Sequence, residues 1–188
     1  MTFTYAAKLQ HADTLLLTCS DWPGLPRPIV PDKPAQLFIV RNIGNVVPND
    51  PFEASVDAAL DIAVNQLDVQ SVIVCGHSGC AAMEALLSES IDSPTGPVGR
   101  WLEYARESLF AYHEYHLARV GAAAHGFSEV DQLGAVNVAI QLERLVRDPL
   151  LAAAVTANRI RVAGLFHSQK SHRLYDISPQ RATKRTTR

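Results

Sequence analysis

Four short apolar runs constrain this chain most: "TLLLT" (14 to 18), "LFIV" (37 to 40), "SVIVC" (71 to 75) and "IRVAGLF" (160 to 166). None alternates polar with apolar residues, as a strand with one wet face would, and all are rich in branched side chains. Strands covered on both faces belong to α/β folds, so the runs predict a mainly parallel β-sheet flanked by helices. The segment between the second and third runs, "NDPFEASVDAALDIAVNQLDV", supplies the crossover. Asn49 or Asp50 can cap it, Pro51 stands near the first helical position, and Val56, Leu60, Ala63, Val64 and Leu67 recur at helical spacing.

Later segments extend the pattern. After "SVIVC" comes "GHSGCAAMEALLSES", a glycine-containing turn leading into a helix with Met83, Leu86 and Leu87 on one side. Residues 88 to 100 read as a loop, followed by helices over roughly 100 to 120 and 128 to 147. Ser128 and Asp131 form a capping-box pattern, and Asp148-Pro149 breaks the second of these helices before a shorter one that ends near Asn158. No internal repeat or Gly/Ser-rich linker divides the chain, so residues 1 to 180 are expected to form one domain and the basic tail 181 to 188 a disordered end.

A formal charge of -2 over 188 residues gives no bias toward nucleic acid or an anionic membrane. No apolar stretch reaches the ~20 residues that span a bilayer, and the start lacks a signal-peptide pattern, so a cytoplasmic protein is expected. Three cysteines, Cys19, Cys75 and Cys80, then suit metal or thiolate chemistry better than a disulfide framework.

Their placement favours metal. His77 and Cys80 lie three apart on the turn after the third strand, where open α/β sheets present their ligands. Cys19 ends the first strand and can add a third ligand if the two strands are neighbours, with Asp21 two residues on. Two sulfurs and an imidazole suit zinc rather than magnesium or calcium, and three ligands leave a fourth position for water, substrate or Asp21. Cys75, inside its apolar strand, reads as a small buried residue.

A rival reading sits at the same place. "VIVCGHSGC" nearly matches the G-x-S-x-G nucleophile elbow of serine hydrolases, with Ser78 as nucleophile and His167 as a possible base. Cys80 replaces the last glycine, no glycine-rich oxyanion segment precedes the turn, and His167 has no assignable acidic partner.

Three blocks together, "CSD", "FIVRNIGNVVP" and "VCGHSGCAAM", resemble the β-class carbonic anhydrases, which carry C-x-D-x-R, an "RNAGN"-like segment and H-x-x-C in this order. The likeness continues weakly through "VNVAIQLERLVRDPLLAAAV" and "IRVAGLF". It implies a β-carbonic anhydrase-like fold, Zn2+ held by Cys19, His77 and Cys80, and Asp21 as the active-site aspartate, which either orients the nucleophile or swings onto zinc as a fourth ligand. The implied reaction is reversible hydration of carbon dioxide to bicarbonate by zinc-bound hydroxide, in a homodimer or homotetramer. Arg41, Asn42, Gly44 and Asn45 are implied to be mainly architectural.

The pattern departs at residue 23, where the family arginine gives way to Pro23, and Trp22 replaces a usually small residue. A guanidinium pairs with a carboxylate through two parallel hydrogen bonds, so its loss is expected to free Asp21 toward zinc and weaken hydration. Arg27 is the only arginine close in sequence that can restore the pair. Two alternatives keep the fold: hydrolysis of carbonyl sulfide or carbon disulfide, and an inactive zinc scaffold with Asp21 filling the fourth position.

Overall fold

The computed structural model describes residues 12 to 25, 37 to 88 and 96 to 177. Five strands form one sheet: β1 (Thr14–Cys19), β2 (Leu37–Asn42), β3 (Ser71–His77), β4 (Arg161–Ser168) and β5 (Arg173–Asp176), in the order β2-β1-β3-β4-β5. The first four pair in parallel and are the four apolar runs, whereas β5 is an antiparallel edge strand on β4. β1 lies between β2 and β3, so the carboxyl ends that carry Cys19, Asn42 and His77 are adjacent. Thr18 reinforces this by donating its hydroxyl to the Cys75 carbonyl at 3.0 Å.

Helices α1 (Ser55–Asn65) and α7 (Pro149–Thr156) contribute to the core cluster that includes Leu15, Leu17, Val72 and Val74. Helix α6 (Glu129–Arg147), which also packs against β3 and β4, is the central support. It packs directly on β3 at Gly76, where a Cβ would meet Val138 Cγ2 at 2.8 Å, so only glycine permits this approach. Ser128 caps α6 by accepting the Asp131 N–H, and Asp148 caps α7 by accepting that of Leu151, as the sequence pattern indicates. No helix among the described residues is long and apolar enough to cross a membrane.

Several boundaries differ from the sequence reading. Helix α1 starts at Ser55, later than a cap at Asn49 or Asp50 requires, because Asp50 Oδ1 instead accepts the Phe52 N–H in a local turn. Helix α2 (Ala81–Leu87) follows the H-x-x-C turn as expected, but α3 (Pro97–Leu102) begins inside the expected loop, with proline at its first position. The single helix expected over 100 to 120 is three pieces: the end of α3, α4 (Arg106–His113) after a 3-10 turn, and α5 (Leu117–Ala124). Tyr115, at φ 55°, turns the chain between α4 and α5. The tail 181 to 188 and Arg27 lie outside the described residues.

Candidate metal centre

Cys19, Asp21, His77 and Cys80 converge where β1 and β3 end, with one ligating atom from each lying within 4.8 Å of the others. Cys19, His77 and Cys80 are buried at 1%, 3% and 3% exposure, whereas the Asp21 side chain is 35% exposed. Three donors therefore form the floor and one carboxylate stands at the mouth. The two sulfurs are 3.7 Å apart, close to the ~3.8 Å edge of a tetrahedron with 2.3 Å zinc–sulfur bonds. The donor set and its spacing fit zinc.

The imidazole is aimed by its other nitrogen. His77 Nδ1–H donates to the Ser78 carbonyl at 3.0 Å, which turns Nε2 toward the cluster. Nε2 meets Asp21 Oδ1 at 2.7 Å, while Asp21 Oδ2 accepts the Ala81 N–H at 2.8 Å at the start of α2. Opposite, the Gly44 N–H donates to Cys19 Sγ at 3.0 Å. Gly44 can point its amide there because it adopts φ 77°, and a side chain would press on Ala82 and Met83 besides being strained.

These contacts set the charges. Hydrogen bonding from Cys80 carries the Cys19 thiol down to about 5, against burial and with help from His77. The Cys80 thiol moves the other way, because the Cys19 thiolate needs its proton and burial disfavours a second charge. Burial pushes the Asp21 carboxyl up, but Cys19, the Ala81 amide and His77 outweigh it and hold it below the usual range. Burial likewise pulls His77 down, and Cys19 and Asp21 bring it net above its ordinary value. Cys75 is held apart from this chemistry: burial alone raises it to about 12.

Trp22 and Arg41 build the surroundings. The Trp22 indole, 3% exposed, stacks on His77 with ring centroids 5.7 Å apart and planes 11° apart, and lies 5.2 Å from His167. Arg41 donates one nitrogen to the carbonyls of Cys19 (2.9 Å) and Trp22 (3.0 Å), clasping the turn that carries Asp21. Asn42 bonds Val46 through both ends of its amide. The hydrolase alternative loses its geometry: Ser78 Oγ accepts the Gln169 N–H at 2.8 Å, and buried His167 Nδ1 has no partner among the described residues.

Helix α6 fixes the segment behind the site. Asn137 Nδ2 donates to the Gly44 carbonyl at 2.9 Å, Gln141 Oε1 accepts the Val47 N–H at 2.8 Å, and the two amides bond each other and Ser108. Arg144 donates to the carbonyls of Val47 and Tyr104. These residues escaped the sequence reading, although amides four apart within an apolar helix were the available signal.

A carbonic anhydrase family model matches residues 14 to 174. Among curated proteins, a carbonic anhydrase of Pseudomonas aeruginosa is 33% identical over 92% of this chain and 76% of its own. Carbonic anhydrase 1 of Escherichia coli O157:H7 is 32% identical over 90% of this chain and 75% of its own, and a carbonic anhydrase of Synechococcus elongatus is 30% identical over 94% and 64%. Thus the chain spans about three quarters of the first two and under two thirds of the third. Of the solved structures, the β-carbonic anhydrase CcaA superposes with a TM-score of 0.74 at 25% identity, over 89% of this chain and 80% of the other. The chain belongs to the β-class carbonic anhydrases. CafA of Aspergillus fumigatus, a further β-carbonic anhydrase, gives a TM-score of 0.69 at 29% identity, over 89% of this chain and 76% of that one.

Within this enzyme family the missing arginine has a structural consequence here. Pro23 is exposed, and the Asp21 carboxylate is held by a backbone N–H and an imidazole. Without a guanidinium, Oδ2 is held by the Ala81 N–H and Oδ1 points into the cluster at His77 Nε2.

Proposed function

We propose that this chain is a zinc-dependent carbonic anhydrase that interconverts carbon dioxide and bicarbonate, with Cys19, His77 and Cys80 holding the metal and Asp21 as the catalytic carboxylate. The observation that carries this reading is the convergence of three buried soft donors and one half-exposed carboxylate within 4.8 Å. Zinc, when bound, supplies the Lewis acidity that brings the pKa of water from 15.7 to about 7.

The chain's own residues do the rest. Asp21 is ionised at neutral pH and fixed through Oδ2 on the Ala81 amide, so Oδ1 faces the cluster and can accept a proton from a reacting water. His77 is held in one orientation by the Ser78 carbonyl on one side and the Trp22 ring against its face. That apolar indole also shields the metal side of the site from bulk water, which strengthens its electrostatics. Small, uncharged carbon dioxide needs no charged recognition pocket, only the opening beside Asp21.

One observation favours a second reading. Asp21 Oδ1 stands among the possible ligands, so Asp21 as a fourth ligand would close the centre. We also read the protein as a homodimer or homotetramer; the β-carbonic anhydrases of Sordaria macrospora are described as tetrameric, and at 24% identity their likeness supports the fold.

Exchange of oxygen-18 between labelled carbon dioxide and water, followed by mass spectrometry on zinc-loaded protein, tests the proposal. Exchange well above that of Cys19→Ala supports hydration. Full zinc occupancy with exchange no faster than the variant at any pH from 6 to 9 supports the closed centre instead.

A further inference from the structure

Trp101 of α3 donates its indole N–H to the Ile43 carbonyl at 2.8 Å. The amide N–H on the other side of that same peptide bond is Gly44's, and it donates to Cys19 Sγ at 3.0 Å. The peptide is one resonant unit: a donor on its oxygen draws electrons from nitrogen and makes the N–H a stronger donor. The indole and the sulfur are thus the two ends of a hydrogen-bond relay through one peptide plane. Two further contacts hold it in place. Asn137 bonds the Gly44 carbonyl at 2.9 Å, and Tyr104 meets the Trp101 ring edge-on at 5.6 Å.

We propose that Trp101 is a positioning residue for the metal centre, fixing and polarising the Ile43–Gly44 peptide so that its N–H tempers the electron donation of the Cys19 sulfur. This rests on the reading of Cys19 as a metal ligand. A hydrogen bond to a thiolate lowers the energy of its lone pairs, so a weaker bond raises them and makes the sulfur easier to oxidise toward a bound metal. Trp101 has no role in the hydration scheme, and nothing in its sequence neighbourhood, "GPVGRWLEY", marks one.

The test uses the full chain loaded with cobalt(II), whose thiolate-to-metal charge-transfer absorption reports the sulfur directly. Trp101→Phe keeps an aromatic ring and removes only the donor. Its charge-transfer band should move to longer wavelength. Tyr104→Phe, which keeps the ring beside Trp101, should leave the band in place. A band that does not move in a folded, cobalt-loaded Trp101→Phe protein overturns the proposal, as does an equal shift in Tyr104→Phe.

A measurement on the unsubstituted protein guards against a variant that fails to fold. With cadmium-113 bound, the Gly44 amide proton should show scalar coupling to the metal across Cys19 Sγ, and the Trp101 indole proton should be protected from exchange. Missing coupling, or an indole proton that exchanges freely, contradicts the relay. Failure of the unsubstituted chain to take up cobalt or cadmium at all would remove the metal reading itself, and this proposal with it.

Discussion

Asp21 Oδ1 lies 2.7 Å from His77 Nε2, so a carboxylate at the end of β1 meets an imidazole at the end of β3 across the mouth of the cluster. The contact exists because the two strands are neighbours in register, and the Ala81 amide keeps the carboxylate from swinging away. Asp21→Asn retains an acceptor for that amide and loses the charge. With general-base assistance worth at least 10²-fold, kcat/KM for carbon dioxide hydration should fall by about a hundredfold. Zinc content, measured by atomic emission, should stay at the wild-type level.

Pro23→Arg returns a guanidinium to the place the family motif gives it. Because Pro23 is exposed, stability should change by no more than about 0.5 kcal/mol. A charge-assisted pair would hold Asp21 more firmly off the metal, so kcat/KM should rise several-fold. Steady-state hydration rates alongside thermal unfolding check both parts, and an unchanged rate in a stable variant would show that the Ala81 anchor already suffices.

The two cysteines predict a pH dependence of stability in the metal-free protein. Cys19 titrates at about 5 in the fold, below the ~8.5 of a free thiol, while Cys80 moves above that range. Between these values the folded pair binds one proton fewer than the unfolded pair. Its contribution therefore grows as pH rises from 5 toward 8.5 and is lost as pH falls through 5. Above 8.5 the unfolded thiols ionise while Cys80 keeps its proton, so the folded pair binds one proton more and the gain is progressively lost. Urea unfolding of chelator-treated wild type and Cys19→Ser should show a gap that widens between pH 5 and 8. His77, raised in the fold partly by Cys19 itself, acts with opposite sign above 6.5, so the gap between wild type and variant should be steepest between pH 5 and 6.5.

Asn137→Ala removes a buried side chain that serves Gly44, Ser108 and Gln141 together. Each buried polar group left without a partner costs about 1–3 kcal/mol. A loss of 2–4 kcal/mol on urea unfolding is expected, with weaker metal binding because Gly44 no longer presents its amide firmly to Cys19. Unchanged affinity in a destabilised protein would separate the α6 network from the metal centre.

Much of this was legible in the chain. β1 and β3 lie inside the sheet and are mostly buried, and an uninterrupted apolar run is what such burial demands of a sequence; β2 carries the same kind of run but is a half-exposed edge strand, with Ile39 41% exposed. β5 was not legible: "RLYD" is four residues long, half-exposed and on an edge, so nothing forces a pattern on it. The break at Tyr115 escaped for a related reason, since neither Gly nor Pro marks it and the flanking residues suit a helix. Cys19, His77 and Cys80 could be grouped because turn spacing and strand adjacency bring them together. The stack of Trp22 on His77 and the Trp101 bond to Ile43 depend on how separate loops meet above the sheet, which no local pattern encodes.

Stopped-flow hydration of carbon dioxide by the zinc-loaded chain, against Cys19→Ala prepared identically, tests the central claim most directly. The account predicts catalysis that depends on zinc, rises with pH through neutrality and is abolished in the variant. A wild-type protein with full zinc occupancy and a hydration rate equal to that of Cys19→Ala across that range would contradict it.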